Sequence, residues 1–436
     1  MQFGRIHFCR QEFQAVRIHK MTEQMQTITE RLVLVGVSMK DGDDTQDSMK
    51  ELELLCKTAG AEVVCSIIQN RENIHPGTYV GKGKIEEIRE SLLFYHADGI
   101  VCDDELSPAQ MKNLEDELDC KVMDRTLVIL DIFAARARTS EGKLQVELAQ
   151  LKYSMTRLAG FGKSMSRLGG GIGTRGPGET KLEVDRRVIK NRVAQLSREL
   201  KEMQQHREVA RSAREHSHLP VIAIVGYTNA GKSTLLNYLT DAGVLQEDKL
   251  FATLDATTRK LSLPNKQEVL LTDTVGFIRK LPHHLIEAFK STLEEAKYAD
   301  ILIHVIDASN PQRDKQMHIV YETLDRLGVK DKPIITLFNK QDLVKDEEAL
   351  RDFRAEKAIK TTILKGQGID TLFETIEQLL REDKQYIEHV FSYDEGSKVA
   401  QIRKNGELLE EEYVAEGILI KAYVSQALAG QLGICD

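Results

Sequence analysis

The sequence lacks several features that would place it in a specialised class of protein. It has no tryptophan, only 8 prolines, and no apolar run near the ~20 residues that a membrane-spanning helix needs. Its 6 cysteines include no Cys-x-x-Cys pair, so they indicate thiols of a reducing cytoplasm and not a zinc or disulfide set. With 41% hydrophobic and 29% charged residues over 436 positions, the chain is typical of a soluble globular protein of roughly two to four domains.

The beginning of the chain has no apolar stretch long enough for a signal peptide. We therefore assign residues 1–25 to a lead-in. Two alternatives stay open for it: a short disordered segment, or an upstream start before Met21 or Met25.

The net charge of −8 argues against a nucleic-acid partner, but the charge is unevenly distributed. From residue 131 to 216 there are 18 Lys and Arg against 10 Asp and Glu, so this stretch carries +8 and the rest of the chain −16. The charge of such a basic segment is a better guide to binding partners than the net charge of the whole chain. It indicates a polyanionic partner for that segment.

Residues 26–130 alternate short apolar strands with amphipathic helices. We expect strands at 32–37, 62–68, 99–102 and 121–123, separated by helices. This alternation predicts a small α/β domain with a parallel sheet.

Residues 131–216 change to a helical pattern, with apolar side chains spaced by three and four residues. The two series are Leu144, Leu148, Leu151, Met155 and Leu158, then Ile189, Val193, Leu196, Leu200 and Met203. Each series forms one apolar seam, so together they predict an antiparallel coiled-coil helical pair. The connecting loop, residues 160–180, has 8 glycines between Gly160 and Gly178.

The second half of the chain returns to strand–helix alternation. Residues 219–381 have expected strands at 221–225, 269–272, 301–307 and 334–338, and they predict a doubly wound, mostly parallel sheet. Residues 383–436 predict a small α+β module in the order β-α-β-β-α.

The most specific motif is Gly-x-x-x-x-Gly-Lys-Ser, which follows the expected strand 221–225 and opens a helix. Its glycines let main-chain N–H groups point at phosphate oxygens, and the helix presents its positive end there. Lys232 can reach the β- and γ-phosphates, and the Ser233 hydroxyl can ligate Mg²⁺. The candidate phosphate-binding residues are Gly226, Tyr227, Thr228, Asn229, Ala230, Gly231, Lys232, Ser233 and Thr234.

Two polar motifs follow later strands, at the sheet edge where ligands of such folds bind. Asp273 can hold a metal through water, and the N–H of Gly276 can contact a γ-phosphate. Asp342 can accept hydrogen bonds from both N1–H and N2–H₂ of guanine, a pattern that adenine does not offer. Asn339 can bond the base edge or tie back to the phosphate loop, and the stem of Lys340 can lie over the ring. The motifs comprise Asp273, Thr274, Val275, Gly276 and Phe277, then Asn339, Lys340, Gln341 and Asp342.

Together with Phe-Ala-Thr-Leu-Asp at 251–255, Gly-Lys-Gly-Lys at 81–84 and the glycine-rich stretch 169–180, these motifs resemble the HflX family of ribosome-associated GTPases. This family belongs to the translation-factor-like P-loop GTPases, and the resemblance covers most of the chain. It implies GTP as substrate, Mg²⁺ as cofactor, and the large ribosomal subunit with its rRNA as partner. We accordingly expect a monomeric, cytoplasmic protein that associates with ribosomes and has no membrane span.

The resemblance implies a switch I made of Phe251, Ala252, Thr253, Leu254 and Asp255, and a switch II that begins at Asp273. Thr253 would join Ser233 as a Mg²⁺ ligand, with Thr257 and Thr258 as competing candidates. The chain departs from the family at Ala256, where Pro is usual. It also departs in the guanine-side loop, where Thr362, Ile363 and Leu364 align with Ser-Ala-Lys. A backbone N–H can still reach guanine O6 there, but the aligned position has no lysine to stack on the base.

Phe277 occupies the position at which many GTPases carry the Gln that orients the attacking water. Its side chain can neither donate nor accept a hydrogen bond, so we expect slow basal hydrolysis. Two interpretations stay open: a partner completes the site, or Phe277 packs under switch II and a water-positioning group lies elsewhere in the chain. Arg279 and Lys280 are nearby cations to which we assign no catalytic role.

The helical pair also has two interpretations. It is either a spacer with a solvated basic face, or an RNA probe whose glycine-rich tip enters a narrow channel in the large subunit. The candidate rRNA-binding residues are Lys163, Arg167, Arg175 and Lys181.

The sequence therefore predicts a GTPase that binds the large ribosomal subunit and uses a GTP/GDP switch to split or recycle ribosomes. One alternative is an ATP-dependent rRNA-remodelling enzyme that uses the N-terminal domain, where Gly81 to Lys84 could hold an anion or form an ordinary helix start. The other is a ribosome-binding anti-association factor in which the nucleotide is structural.

Overall fold

The computed structural model of the chain describes residues 29–39, 44–165, 181–215, 219–240, 250–251, 257–282, 285, 295–344, 350–382 and 384–434. It divides into two compact units, Met1–Arg125 and Thr126–Asp436.

The first unit contains a four-stranded, all-parallel sheet in the order β2-β1-β3-β4. Its elements are β1 (Arg31–Ser38), α1 (Thr45–Ala59), β2 (Glu62–Asn70), α2 (Lys82–Tyr95), β3 (Gly99–Cys102), α3 (Pro108–Leu118) and β4 (Lys121–Asp124). The central strand β1 is buried along almost its whole length, which explains its continuous apolar sequence. The predicted α/β fold with a parallel sheet is confirmed.

The helix α4 (Arg125–Arg136) was not predicted from the sequence. It follows β4 without an intervening loop, and its sequence is nearly continuously apolar from Thr126 to Ala135. Because both faces of the helix carry apolar residues, the sequence does not show the spacing of three and four residues that indicates a helix. The buried side chains of this helix include Val128, Ile129, Leu130, Ile132 and Phe133.

The next two elements are the long helices α5 (Ser140–Met165) and α6 (Lys181–Glu215). Glu147 accepts hydrogen bonds from Nε and Nη2 of Arg192 at 2.7 and 2.9 Å, and Glu141 lies 2.8 Å from Nη2 of Arg207. Because residue numbers rise along one helix as they fall along the other, the helices run antiparallel. Leu196, from the predicted seam, is buried between exposed neighbours. The predicted antiparallel helical pair is confirmed.

The second unit also contains a six-stranded sheet in the order β10-β9-β8-β5-β7-β6. Its elements are β5 (Val221–Gly226), α7 (Lys232–Thr240), β6 (Thr257–Ser262), β7 (Glu268–Asp273), α8 (Glu295–Tyr298), β8 (Ile301–Asp307), α9 (Arg313–Arg326), β9 (Ile334–Asn339), β10 (Lys357–Lys360) and α10 (Ile369–Glu382). All neighbouring strands run parallel except β6, which pairs antiparallel with β7. The predicted doubly wound, mostly parallel sheet is confirmed, with the edge strands β6 and β10 added by the structure.

The last part of the chain forms a three-stranded antiparallel sheet in the order β11-β13-β12. Its elements are β11 (Lys384–Phe391), α11 (Gly396–Asn405), β12 (Glu407–Val414), β13 (Gly417–Ser425) and α12 (Gln426–Leu432). Alternate residues of β13, including Ile420, Ala422 and Val424, are buried in a small separate core. The predicted β-α-β-β-α order is confirmed.

Candidate nucleotide-binding site

The phosphate loop, defined here as residues 226–233, joins the central strand β5 to helix α7. Its backbone has positive φ at Gly226 (+150°), Asn229 (+60°) and Gly231 (+107°). At Gly231, an added Cβ would also lie 2.4 Å from Nδ2 of Asn339. Glycine is therefore required at this position both by the backbone conformation and by the close approach of a neighbouring side chain.

Lys232 opens α7 and its side chain is buried against the loop that precedes it. Its Nζ donates a hydrogen bond to the carbonyl oxygen of Tyr227 at 2.7 Å. Burial lowers the pKa of Lys232 from 10.5 to about 8, and the charge of Asp273 partly opposes this shift. The ammonium group is thus mostly charged at pH 7, and an anion bound beside it would compensate its lost hydration.

The next side chain, Ser233, meets the end of β7. Its hydroxyl donates a hydrogen bond to Oδ2 of Asp273 at 3.0 Å, and Asp273 is fully buried. A hydroxyl and a carboxylate beside a buried ammonium form an oxygen-rich corner. Oxygen ligands of this kind are the ones that Mg²⁺ prefers, so the residues present fit a magnesium ion.

The motif after β7 is hydrogen-bonded to the phosphate loop through its backbone. The N–H of Thr228 donates to the carbonyl of Phe277 at 2.8 Å, and the N–H of Phe277 donates to the carbonyl of Gly226 at 3.1 Å. A Cβ added to Gly276 would lie 2.9 Å from Nζ of Lys232. The main chain at Gly276 therefore sits directly over the lysine ammonium.

The ring of Phe277 is only 2% exposed, and Val275 beside it is buried as well. The N–H of Arg279, two residues further on, donates to the Tyr227 hydroxyl at 2.8 Å. Phe277 is therefore a buried side chain without a polar group, and its backbone is hydrogen-bonded to the phosphate loop.

The base-side motif is tied to the phosphate loop by the side-chain amide of Asn339. Its Nδ2 donates to the carbonyl of Ala230 at 3.0 Å, and its Oδ1 accepts from the N–H of Ile363 at 3.1 Å. Of the two roles open to Asn339, the structure places it in the one that ties back to the loop. Both ends of the amide are used in holding protein backbone.

Lys340 lies across the same edge, with φ of +61°. Its Nζ donates to the carbonyl of Asn229 at 3.0 Å and to Oδ2 of Asp307, at the end of β8, at 2.7 Å. These two bonds stretch the aliphatic stem of Lys340 along the site. Asp307 is a site residue that the sequence analysis did not identify, although its position at the end of a predicted strand was a usable signal.

Asp342 follows within a short 3₁₀ turn, Gln341–Leu343, and the aligned loop contains a second such turn, Ile363–Lys365. Thr362 and Ile363 are buried, whereas Leu364 is 79% exposed. Lys365, which the sequence analysis also missed, brings its Nζ to 3.3 Å from Oδ2 of Asp342. A lysine is therefore present at this edge, one residue after the exposed Leu364.

Three family descriptions match consecutive parts of the chain. They are the N-terminal region of GTP-binding GTPases at residues 46–134, the middle region of GTP-binding GTPases at 136–214, and 50S ribosome-binding GTPase at 221–340. A protein named GTPase HflX from Lacrimispora saccharolytica is 61% identical over 414 residues, covering 94% of this chain and 98% of that protein. The chain belongs to the HflX family of GTPases.

Other relatives extend the HflX similarity. GTPase HflX of Escherichia coli is 44% identical over 354 residues, which cover 80% of this chain and 83% of that protein. Among solved structures, a GTP-binding protein from Sulfolobus solfataricus in complex with GDP is 27% identical. It covers 80% of this chain and 98% of that one, with a TM-score of 0.43. The two HflX relatives and the three family matches confirm the resemblance predicted from the sequence, and the chain is a GTP-binding GTPase of the P-loop class.

Several predicted HflX residues fall outside the described part of the chain. These are Ala252, Thr253, Leu254 and Asp255 of switch I, and Arg167 and Arg175 of the glycine-rich loop. Lys163 and Lys181 lie in α5 and α6, but their side chains are not described. The competing threonines lie on β6, where Thr257 pairs with Asp273 and the Thr258 hydroxyl is 2.9 Å from that of Thr272.

The Gly-Lys-Gly-Lys motif of the first unit forms the start of α2, with Gly81 as its N-terminal cap. The N–H of Gly81 donates to Oε1 of Gln69 at 2.8 Å, and Lys84 forms an ion pair with Glu87 at 2.6 Å. Among the helices that the structure describes, none combines the length and apolar character needed to cross a membrane.

Proposed function

We propose that this HflX-family GTPase binds the large ribosomal subunit and uses a GTP/GDP switch to split or recycle ribosomes. The observation that supports nucleotide binding is that the ends of three strands meet at one edge of the six-stranded sheet. The phosphate loop after β5, Asp273 at the end of β7 and Asn339 at the end of β9 are joined there by direct hydrogen bonds. The domain division 26–130, 131–216, 219–381 and 383–436 is part of the same proposal.

In this proposal, main-chain N–H groups of the phosphate loop and the first turn of α7, from Gly226 to Thr234, surround the phosphates. Lys232 exchanges its bond to the Tyr227 carbonyl for phosphate oxygens. Asp342 selects guanine through two hydrogen bonds, and Lys340 lies along the base. The buried N–H of Ile363 is bound to Asn339, so the neighbouring loop from Thr362 to Leu364 frames the base.

Ser233 and Thr253 would ligate Mg²⁺, with Asp273 holding it through water. When bound, the ion neutralises charge that builds up on the β- and γ-phosphate oxygens. The close pairing of Ser233 with a buried carboxylate supports this assignment. Of the three threonines considered, Thr257 and Thr258 are engaged in the β6–β7 pair, which favours Thr253.

The expected hydrolysis is slow without a partner. Phe277 is buried and supplies no polar group, so nothing at that position orients the attacking water. Burial of the Phe277 ring is compatible with both interpretations, a group supplied by a partner or a water-positioning group elsewhere in the chain. We infer that ribosome binding supplies or positions that group.

The ribosomal part of the proposal rests on the match of residues 221–340 to 50S ribosome-binding GTPases and on the basic helical pair. The exposed side of α6 carries Arg186, Lys190, Arg198 and Lys201, and cations in such an array neutralise phosphates of RNA. We propose that Lys163, Arg167, Arg175 and Lys181 contact rRNA near the tip. The protein would act as a cytoplasmic monomer.

Calorimetry with GDP, GTP and ATP tests the nucleotide site. We expect tight binding of both guanine nucleotides, no measurable ATP binding, and loss of guanine preference in Asp342→Ala. Equal binding of ATP and GTP would contradict the proposal and support the ATP-dependent remodelling alternative.

Sucrose-gradient sedimentation of ribosomes tests the partner. With a non-hydrolysable GTP analogue, we expect the protein to migrate with large subunits and intact ribosomes to disappear. Equal dissociation with GTP, the analogue and GDP would instead support an anti-association factor with a structural nucleotide. Absence from every ribosomal fraction would overturn the partner while leaving the nucleotide site intact.

A further inference from the structure

The base-reading edge of the proposed guanine site contains an ion pair between its aspartate and a lysine of the neighbouring turn. Nζ of Lys365 lies 3.3 Å from Oδ2 of Asp342, and the two side chains are 58% and 31% exposed, respectively. The aligned position of the usual lysine is Leu364, whose side chain points into solvent with 79% exposure. Within this turn it is therefore Lys365, and not its exposed neighbour, that meets the carboxylate.

The fold holds both partners of this ion pair on short, well-anchored turns. The N–H of Gln341 donates to the carbonyl of Thr361 at 3.2 Å, which fixes the two turns side by side. Gly366 ends the second turn with φ of +71°, and a Cβ there would lie 2.3 Å from Oη of Tyr238. The turn carrying Lys365 therefore lies close to Tyr238 of α7, and its last residue has a backbone conformation that favours glycine.

A carboxylate has about four lone-pair sites, so one oxygen can accept from an ammonium and from a base at the same time. Reading guanine requires both oxygens of Asp342 to face the base edge in one rotamer. An unpaired aspartate on an exposed turn samples several rotamers and must be ordered when the base arrives. An ion pair that already fixes this rotamer lowers the ordering cost of binding.

We infer that Lys365 is a positioning residue for guanine recognition, which holds the Asp342 carboxylate in its base-reading orientation. The inference rests on the proposed guanine site. Lys365 contacts the Asp342 carboxylate, so its contribution should depend on Asp342 and on guanine.

The test is equilibrium binding of a fluorescent GDP to the full chain. Lys365→Met removes the charge and keeps the length, and we expect the Kd for GDP to rise about five-fold at low salt, the upper range for a partly exposed ion pair. Lys365→Arg should restore binding to within about two-fold of the original. Lys357→Met, the same change on the exposed start of β10, is the matched control and should leave the Kd unchanged. The five-fold difference should shrink between about 0.1 M and 1 M salt, because an exposed ion pair is screened.

A double-mutant cycle separates positioning from general attraction of the anionic nucleotide. Asp342→Asn removes the carboxylate and should favour xanthosine diphosphate, whose 2-oxo group accepts from the new amide. In that background Lys365→Met should leave the Kd for xanthosine diphosphate unchanged. A similar loss in both backgrounds would overturn the inference in favour of simple phosphate attraction.

The remaining outcomes distinguish the two levels of the proposal. If Asp342→Asn weakens GDP binding well over ten-fold but Lys365→Met has no effect or tightens binding, Lys365 is not a positioning residue and the guanine site stands. If Asp342→Asn binds GDP as well as the original protein does, the proposed guanine recognition itself is wrong, and the inference falls with it.

Discussion

The ring of Phe251 packs edge-on against the ring of Phe133, with ring centroids 4.7 Å apart and an angle of 79° between the planes. Phe251 is the first residue of the proposed switch I, and Phe133 lies in helix α4, which the sequence did not reveal. Both rings are buried, and Phe251 has a φ of +56°, which is unusual for a side chain of this size. The start of the proposed switch I therefore has an aromatic contact with a helix far away in sequence.

Phe133→Ala should lower the free energy of unfolding by about 3–5 kcal/mol, because it leaves a cavity beside Phe251. Phe133→Leu, which keeps most of the apolar volume, is the control and should cost less. In a cycle with Phe251→Ala, the two changes should be coupled by about 0.5–1.5 kcal/mol, the value of an aromatic pair beyond its area. Urea denaturation measures both quantities, and strictly additive losses would mean that the ring contact adds nothing specific.

Lys232→Met should stabilise the nucleotide-free protein while abolishing GTP binding. The folded pKa of about 8 lies below the ordinary 10.5, so the unfolded chain binds the proton more readily between these values. The buried charge therefore destabilises the fold below pH 8, and this cost disappears as the pH rises to 10.5. We expect a gain on the order of 2 kcal/mol at pH 7, after the lost hydrogen bond to Tyr227 offsets part of it.

The check for Lys232 is urea denaturation of the original protein and Lys232→Met from pH 7 to pH 10, with Lys330→Met as an exposed control. The stability difference should be largest at pH 7 and should decline toward pH 10. A difference independent of pH would show that charge burial is not its cause.

Asn339→Asp should reduce the affinity for GDP more than it reduces the stability of the fold. The aspartate can still accept from the N–H of Ile363, but it cannot donate to the carbonyl of Ala230, and it faces that oxygen with a negative charge. Asn339→Ala loses both bonds and should cost about 1–3 kcal/mol for each buried group left unpaired. Thermal unfolding together with GDP titration separates the two effects, and an Asp variant with unaltered GDP affinity would disprove the role of the Ala230 bond.

His304 should make the protein sensitive to acid. It is buried on β8, with Nδ1 4.0 Å from Oδ2 of Asp352, and burial lowers its pKa to about 4. Because the unfolded histidine titrates near 6.5, the unfolded state binds the proton first as the pH falls. Stability should therefore decline between pH 6.5 and 4, by on the order of 3 kcal/mol from this group.

Comparison with His304→Gln isolates that contribution, since all other groups titrate in both proteins. The free energy of unfolding should fall less steeply with acid in the variant than in the original protein. Parallel curves would assign the acid sensitivity to other residues.

Most of the architecture was predictable because its elements carry strong patterns. The parallel strands β5, β8 and β9 are mostly apolar runs, and the seam of α6 repeats every three or four residues. Helix α4 was missed because its own sequence is apolar at most positions, so no spacing of three and four residues stands out. The edge strand β10, Lys-Ala-Ile-Lys, is too short and too polar to stand out.

The candidate site was predictable as motifs but not as contacts. The sequence placed Asp342 at the base edge, yet the partner Lys365 depends on how two turns pack, which no local pattern encodes. Asp307 was overlooked although it ends a predicted strand, because its contact with Lys340 from another strand is visible only in the fold. Loop residues meet through the tertiary fold, so spacing in sequence predicts which loops converge and not which side chains touch.

The amide of Asn339 has one further consequence. Its nitrogen holds the turn that would grip the phosphates, and its oxygen holds the turn that would frame the base. Because one side chain holds both turns, a movement of one turn affects the other. A ligand that contacts only one turn therefore bears the entropic cost of ordering both turns while gaining contacts with one. A partner that displaces either turn would break a hydrogen bond of Asn339 and loosen both turns. Nucleotide exchange would then need contact between the partner and only one of them.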